Sequence, residues 1–335
     1  MFNLEEETII GEVSKRKCRR VLLQVPEGLR PNAFQLARLV ESRTSAEAII
    51  SADPCYGSCD LALSEASALN ADLIVHVGHS KPLDVSHEKC LFIEARASVD
   101  VKEAVRKALM HLDKEQVIGI CSVIQHIGEL ERAKCIVEEA GKTALIGKAD
   151  QGLTYDGQIL GCRLGAVKSI SSKVDAFLVL AGGDFHGLGV RIATGKRTIV
   201  SDPFQGQARD MEHLARRFLR KRYAAIDCFR KARKVGILLG LKTGQLKPAT
   251  AAEVRTTLEK RGYQCVLLAL REIDPTVLEN FPDIEGFVST ACPRVAWDDQ
   301  DRFRKPVVNP EEAFIAVGLR RWEDYTHENS ASKRN

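Results

Sequence analysis

The chain of 335 residues repeats one pattern three times, and this repeat limits its possible folds more than any other feature. Each copy opens with a continuous apolar run, continues with a helical stretch whose apolar residues recur at three- and four-residue spacing, and then has further short apolar runs. The opening runs begin near residues 20, 115 and 232 and read "RRVLLQVPEG", "EQVIGICSVI" and "ARKVGILLGL". Continuous apolar strands that alternate with helices are typical of parallel βαβ units buried on both faces.

The repeat predicts an α/β fold of three small Rossmann-like domains with short parallel sheets, at residues 1–114, 115–231 and 232–335. Right-handed crossovers in such sheets place the binding loops at the carboxyl ends of the strands. A long helix within residues 204–234 should lead from the second domain into the third. Ten of those 31 residues are Arg or Lys, and a solvated helix face is a simpler account of them than an acidic partner.

The N-terminal segment, the lengths of the apolar runs, the net charge and the number of cysteines indicate the cellular compartment and the classes of partner. The N-terminal segment is acidic where a signal peptide is basic, and no apolar run approaches the 18 residues of a membrane span. We therefore expect a cytoplasmic protein without a membrane partner. The net charge of +4 is too small to suggest nucleic acid as a direct partner. Ten cysteines in such a compartment are unlike a disulfide framework, so a few of them are candidate metal ligands.

Three cysteines occupy positions where α/β proteins build their sites. Cys59 and Cys162 follow the second strands of the first two repeats, and Cys292 ends the third strand of the third repeat. For a lone loop cysteine, a structural role is the simpler interpretation, but one cysteine per repeat is a pattern. Six others fall within strand or helix patterns, or open a strand, where cysteine behaves as a small hydrophobe: Cys18, Cys90, Cys121, Cys135, Cys228 and Cys265.

If the three domains surround a common centre in a pseudo-threefold arrangement, the three thiolates meet there. Such a set favours a [4Fe-4S] cluster with one iron that lacks a protein ligand. Zinc is the alternative metal, although catalytic zinc more often takes histidine or carboxylate, and structural zinc prefers closely spaced cysteine pairs. The segment "CYGSCDLA" (55–62) has Ala62 where a C-x3-C-x2-C motif would place its third cysteine.

At these cysteines the sequence resembles the archaeal 2-(3-amino-3-carboxypropyl)histidine synthases, which catalyse the first step of diphthamide biosynthesis. The resemblance covers nearly the whole chain. The matching segments are "LLQVPEGL" (22–29), "YGSCDLA" (56–62), "HVGHS" (76–80), "GQILGC" (157–162), "GGDFHGLG" (182–189), "DPF" (202–204) and "ACPRVAWDD" (291–299).

The resemblance implies that Cys59, Cys162 and Cys292 hold a [4Fe-4S] cluster and that Cys55 does not. It implies a noncanonical radical enzyme that cleaves the bond from sulfur to the γ-carbon of S-adenosylmethionine, releasing methylthioadenosine. The 3-amino-3-carboxypropyl radical then adds to a histidine of translation elongation factor 2. The family also implies a homodimer and an external electron donor.

Further residues are candidates for binding the cosubstrate. Arg294 suits the carboxylate of the methionine moiety, with a structural ion pair as the alternative. Asp184 and Asp202 suit the amino group or the ribose hydroxyls, and His79 and His186 lie in family motifs but suit structural roles equally well. Lys242 lies in "GILLGLKTGQ" (236–245), which misses the spacing of a phosphate-binding loop by one residue but ends a strand where a ligand can bind.

Two other functions use the same features. A Lewis-acid dehydratase of the quinolinate synthase type also holds a three-cysteine cluster between three similar domains. A non-catalytic electron-transfer partner subunit is the second alternative, and the presence of all three cysteines argues against it.

Overall fold

The computed structural model describes residues 2–82, 88–149 and 152–327, and within them three sheets repeat one strand order. The first sheet is fully parallel with the order β2-β1-β3-β4. Its strands are β1 Arg20–Gln24, β2 Glu47–Ser51, β3 Leu73–Val77 and β4 Cys90–Ile93. The chain therefore leaves β1 in one direction and continues from β3 in the other, which places a topological switch point between these two strands.

The second and third sheets repeat this order. The second has the order β6-β5-β7-β8-β9 and consists of β5 Val117–Ser122, β6 Thr143–Ile146, β7 Ala176–Leu180, β8 Arg197–Asp202 and the antiparallel β9 Gln207–Asp210. The third has the order β11-β10-β12-β13 and consists of β10 Lys234–Gly240, β11 Gln264–Leu270, β12 Gly286–Ser289 and β13 Val307–Val308. The parallel α/β fold and the threefold repeat are confirmed.

Helices connect the strands and cover the sheets. In chain order they are α1 Glu6–Lys15, α2 Ala33–Arg43, α3 Leu63–Ala68, α4 Lys102–Met110, α5 Leu130–Glu139, α6 Gly165–Ile170, α7 Phe185–Thr194, α8 Glu212–Arg230, α9 Pro248–Glu259, α10 Pro275–Glu279, α11 Pro293–Trp297, α12 Pro310–Ala316 and α13 Trp322–His327. Gly141 and Gly262, which follow α5 and α9, have φ of 77° and 84°. Both helices thus end in the left-handed backbone that glycine adopts without steric cost.

The repeat extends to side-chain packing. In the second sheet Gly119 of β5 pairs with Phe177 of β7, and in the third sheet Gly236 of β10 pairs with Phe287 of β12. A Cβ at either glycine would lie within 2.8 Å of the paired phenylalanine ring. Glycine at these positions therefore makes room for a large ring against the neighbouring strand.

By its internal contacts the chain divides into two compact units, Met1–Glu212 and His213–Asn335. The first unit contains the first two sheets, each with its own apolar core. The second unit contains α8 and the third sheet, with a core built around Phe229, Val254 and Val288. The boundaries near residues 114 and 231, and a common centre for three domains, stay predictions.

The long helix predicted within residues 204–234 is present as α8, whereas one expectation about the strands was wrong. The long helix begins at Glu212, because the preceding residues form a turn and the hairpin strand β9. The strands are not all buried on both faces, since β2 and β11 lie at sheet edges and β11 exposes Val266 and Leu267. Among the described residues, no helix combines the length and apolar character needed to cross a bilayer.

Candidate functional site

Cys59 lies in a loop between β2 and α3 whose backbone is held by two hydrogen bonds within the loop. The side chain of Cys59 is half-buried. The amide of Asp60 donates to the carbonyl of Gly57 at 2.9 Å, and the buried Asp60 carboxylate accepts the amide of Tyr56 at 3.3 Å. A short turn thus fixes the backbone on both sides of Cys59.

A buried glutamine holds this loop against the switch point of the first sheet. Gln24, the last residue of β1, donates from Nε2 to the carbonyl of Asp60 at 2.6 Å and accepts the amide of Ala62 at Oε1 at 3.2 Å. Both contacts are to backbone atoms with fixed roles, so they also fix the orientation of the Gln24 amide. The first and third residues after Cys59, Asp60 and Ala62, are therefore hydrogen-bonded to the end of β1.

Two histidines continue this network. His76 Nδ1 lies 2.8 Å from Gln24 Oε1, and His76 Nε2 lies 3.0 Å from His79 Nδ1. Burial holds the pKa of His76 well below its ordinary value and lowers that of His79 to about 4, although a hydrogen bond to the Val77 backbone acts in the opposite direction on His79. Both rings are therefore neutral at physiological pH.

Cys162 stands at the tip of a tight turn before α6. Leu160 and Arg163 exchange backbone hydrogen bonds of 3.0 and 3.2 Å, which leaves Gly161 and Cys162 as the turning residues and exposes the thiol. A Cβ at position 161 would lie 2.1 Å from the ring of Phe185. Glycine is thus required for the Cys162 turn to approach α7.

A second buried glutamine connects the Cys162 segment to the histidine segment. Gln158 Nε2 donates to Ser80 Oγ at 2.7 Å, and Gln158 Oε1 accepts the amides of Thr154 and Tyr155. Gln158 is fully buried. The segments that carry Cys59, His79 and Cys162 therefore belong to one connected polar network within the first unit.

Cys292 lies in the second unit, between β12 and α11, and is half-buried. The short helix that follows it is held by Arg222 of α8, whose Nη1 donates to the Ala296 carbonyl at 2.5 Å. The same guanidinium forms a fully buried ion pair with Glu312, and it donates to Val307 of β13. Buried charge on one helix thus positions the loop that carries Cys292.

The candidate cosubstrate residues have protein partners. Arg209 pairs with both Asp184 and Asp202, at 2.6 and 3.3 Å, and the Asp202 carboxylate also accepts two backbone amides. Arg294 pairs with Asp298 at 2.5 Å, one helical turn away. These contacts leave the predicted roles of the three residues toward S-adenosylmethionine untested.

Two further candidates, Lys242 and His186, are at least partly buried. Lys242 is buried and pairs with Glu272, and His186 is half-buried on α7 with its ring against Phe185. Their cosubstrate roles also stay predictions.

The six cysteines predicted to be structural divide into two groups. Cys18, Cys121 and Cys265 are buried, Cys90 is half-buried, and burial raises the pKa of all four thiols, to about 11 for Cys90 and Cys265. Cys135 and Cys228 are exposed on helix surfaces, so burial as apolar filler was wrong for these two.

The chemistry of the three proposed ligands fits an iron–sulfur cluster. Cys59, Cys162 and Cys292 are all thiols in the segments that follow β2, β6 and β12, and each is at least partly exposed. Thiolates are the ligands that such clusters require. Gln24, Gln158 and Arg222 were not predicted from the sequence, although Gln24 and Gln158 lie inside the segments that match the family.

Known proteins match this chain over nearly its whole length. A family model described as "Putative diphthamide synthesis protein" matches residues 25–326. The 2-(3-amino-3-carboxypropyl)histidine synthase of Pyrococcus horikoshii is 34% identical over 329 residues, covering 97% of this chain and 93% of the relative. Subunit 1 of the synthase of Schizosaccharomyces pombe is 29% identical over 96% of this chain and 75% of its own length. The crystal structure of Dph2 from P. horikoshii with a 4Fe-4S cluster superposes with a TM-score of 0.86, covering 96% of this chain and 93% of that one.

Proposed function

This chain belongs to the diphthamide synthesis protein family, and on that basis we propose that it transfers the 3-amino-3-carboxypropyl group of S-adenosylmethionine to a histidine of translation elongation factor 2. It is a transferase, the class of enzyme to which its relatives, named 2-(3-amino-3-carboxypropyl)histidine synthases, belong. The observation that carries the proposal is 34% identity over 97% of the chain to a named synthase. The segments with Cys59, Cys162 and Cys292 support the same conclusion.

Cys59, Cys162 and Cys292 hold a [4Fe-4S] cluster in this proposal. When bound, the cluster supplies the electron that breaks the bond from sulfur to the γ-carbon of S-adenosylmethionine, so that methylthioadenosine leaves. The protein's own residues hold these segments in place. Gln24 forms hydrogen bonds with the backbone of the Cys59 loop, and Arg222 donates a hydrogen bond to the helix after Cys292.

Arg294 is the residue that we propose for the carboxylate of the methionine moiety. It lies two residues after Cys292, and its side chain is 45% exposed. Exposed ion pairs contribute little to stability, so the contact with Asp298 can be exchanged for a ligand carboxylate at small cost. Lys242 and Asp202 are poorer candidates because each would have to give up a partner in a buried setting.

The remaining parts of the proposal concern partners. Elongation factor 2 is the protein substrate, an external donor reduces the cluster, and the chain acts as a cytoplasmic homodimer. Three cysteine ligands in one chain support a subunit that carries its own cluster.

The test is transfer of label from S-adenosylmethionine, labelled in its carboxypropyl group, to elongation factor 2 under anaerobic reducing conditions. We expect label on wild-type elongation factor 2 and none on a variant whose acceptor histidine is replaced. Methylthioadenosine should appear together with the transfer. Transfer that is unaffected by removal of the acceptor histidine, or formation of quinolinate from small precursors, would exclude the proposal.

A further inference from the structure

A second group of metal-ligating side chains lies beside the Cys59 loop. Within the described part of the chain, ligand atoms of Cys55, His76 and His79 all lie within 4.8 Å of one another. Cys55 and His76 are buried, with 6% and 0% of their surfaces exposed, and His79 is half-buried. Cys55 comes from the loop after β2, whereas the histidines come from the carboxyl end of β3.

The hydrogen bonds around His76 prepare one of its nitrogens as a ligand. The orientation of the Gln24 amide is fixed by Asp60 and Ala62, so Gln24 Oε1 accepts a hydrogen bond from His76 Nδ1. The lone pair of the neutral ring is therefore on Nε2, which faces His79. A histidine that donates one ring N–H to a carbonyl oxygen and offers the other nitrogen is the usual arrangement of a metal-bound histidine.

The spacing also suits a tetrahedral ion. Two nitrogens bound to one zinc ion at 2.0–2.1 Å are separated by roughly 3.3 Å. The distance from His76 Nε2 to His79 Nδ1 is 3.0 Å, so the two rings need to separate by only a few tenths of an ångström. Cys55 Sγ completes a set of one sulfur and two nitrogens, which favours zinc over the oxygen-preferring cations and over an all-thiolate cluster.

We propose that Cys55, His76 and His79 bind one Zn²⁺ ion, with water in the fourth position. On binding, the Cys55 thiol releases its proton to solvent. His79 moves its proton from Nδ1 to Nε2 and thereby remains neutral, and His76 keeps its proton on Nδ1. One proton is released for each ion bound. The ion connects Cys55, four residues before Cys59, to the two histidines at the end of β3.

The test uses the full-length chain with Cys59, Cys162 and Cys292 all replaced by alanine, so that no cluster contributes to the spectrum. Titration of this chain with Co²⁺ under anaerobic conditions should show one equivalent bound, with a thiolate-to-cobalt charge-transfer band and the visible bands of a tetrahedral ion. Added Zn²⁺ should displace the cobalt. No stoichiometric charge-transfer band would overturn the proposal.

Variants of the site make the test specific. Loss of an outer partner of a metal ligand already lowers affinity by roughly 10–100-fold, so we expect at least that loss for Cys55→Ser and for His79→Gln. Cys90→Ser, which removes a half-buried thiol elsewhere in the same sheet, is the matched control and should bind Co²⁺ normally. Circular dichroism without metal checks that each variant is folded. Cobalt affinity that changes less than twofold in both site variants would contradict the assignment.

A second measurement separates this site from the cluster. The chain with all ten cysteines, purified with its cluster and incubated with one equivalent of Zn²⁺, should retain that zinc after desalting. Cys55→Ser should lose the zinc and keep its iron. Equal zinc retention by both chains would overturn the proposal, and the outcome does not depend on transferase activity.

Discussion

The loops that carry Cys59 and Cys292 follow different strands of two sheets with the same strand order, the edge strand β2 and the inner strand β12, and they are held by different kinds of chemistry. Behind Cys59 lies a neutral network, in which the Gln24 amide contacts two backbone groups and a neutral histidine. Behind the Cys292 loop lies a fully buried ion pair of Arg222 and Glu312, which also contacts the backbone of α11 and β13.

The repeat therefore determines the strand order but not the way in which the loops with Cys59 and Cys292 are supported. A neutral network loses stability one hydrogen bond at a time when a partner is removed. A buried ion pair leaves an uncompensated charge when one partner is removed, which costs far more than the pair itself contributes. The two loops should therefore respond differently to substitution and to pH.

The largest effect should come from the charged support. Arg222→Met leaves the Glu312 carboxylate buried without its guanidinium, and we expect a loss of about 3–5 kcal/mol in the free energy of unfolding. Denaturation with urea measures this loss. Arg220→Met, an exposed position on the same helix, should change stability by less than about 0.5 kcal/mol. A small loss for Arg222→Met would mean that the buried pair does not hold the Cys292 loop.

Loss of the neutral hydrogen-bond network around Gln24 should reduce the free energy of unfolding by less than loss of the buried ion pair. Gln24→Leu leaves the carbonyl of Asp60, the amide of Ala62 and Nδ1 of His76 without their buried partner, and we expect a loss of roughly 2–4 kcal/mol together with weaker cluster retention. Urea denaturation and iron analysis check the two expectations. The exposed Gln35→Leu on α2 is the control and should be close to wild type. Unchanged iron retention in Gln24→Leu would separate this residue from the Cys59 loop.

The dependence of stability on pH should reveal the contribution of a buried neutral histidine. His126 is 1% exposed, and burial lowers its pKa to about 4, although the Asp202 carboxylate acts in the opposite direction. As pH falls below about 6.5, His126 becomes protonated in the unfolded chain but stays neutral in the native chain. The free energy of unfolding therefore decreases until about pH 4, where native His126 also becomes protonated. The loss from this group should reach roughly 2–3 kcal/mol.

The measurement is the free energy of unfolding between pH 7 and 4 for wild type and His126→Leu. The variant should show a flatter profile, whereas the exposed His213→Leu should follow wild type. Identical profiles for all three chains would contradict the assigned role of His126.

The smallest change in stability should come from substitution of Arg294, which lies two residues after Cys292 and is partly exposed. Arg294→Ala breaks a partly exposed ion pair, and we expect a stability change below about 0.5 kcal/mol. Because the substitution removes a carboxylate partner and no iron ligand, S-adenosylmethionine should bind more weakly while the iron content stays constant. Equilibrium binding and iron analysis provide both readouts, and unchanged binding would remove Arg294 from the cosubstrate site.

Much of the fold was predictable because continuous apolar strands, periodic helices and terminal glycines all indicate the same repeat. The antiparallel β9 was not, since "QARD" has no apolar alternation and is held by pairing with β8. The exposure of β11 was also missed, because an apolar edge strand and an apolar central strand have the same sequence pattern.

Cys59, Cys162 and Cys292 were predicted as cluster ligands from their place after strands and from resemblance, and this role stays a prediction, whereas the residues that support their loops were not predicted. Arg222 looks like one of ten basic residues in its segment, yet it shares a helical face with the buried Ala215, Ile226 and Phe229. That spacing was a usable signal. The pairing of Gln24 with Asp60 and Ala62 joins residues 36 and 38 positions apart, which periodicity alone does not reveal.

The central claim is that Cys59, Cys162 and Cys292 hold one cluster that acts on S-adenosylmethionine. The most direct measurement is iron and sulfide analysis of the anaerobically purified chain, with identification of the nucleoside released after reduction. We predict about four iron and four sulfide per chain, and methylthioadenosine as the product. Alanine at any of the three cysteines should impair both, while Cys55→Ala should have much less effect. Full activity in one of the three ligand variants, or 5'-deoxyadenosine as the main nucleoside, would contradict the account.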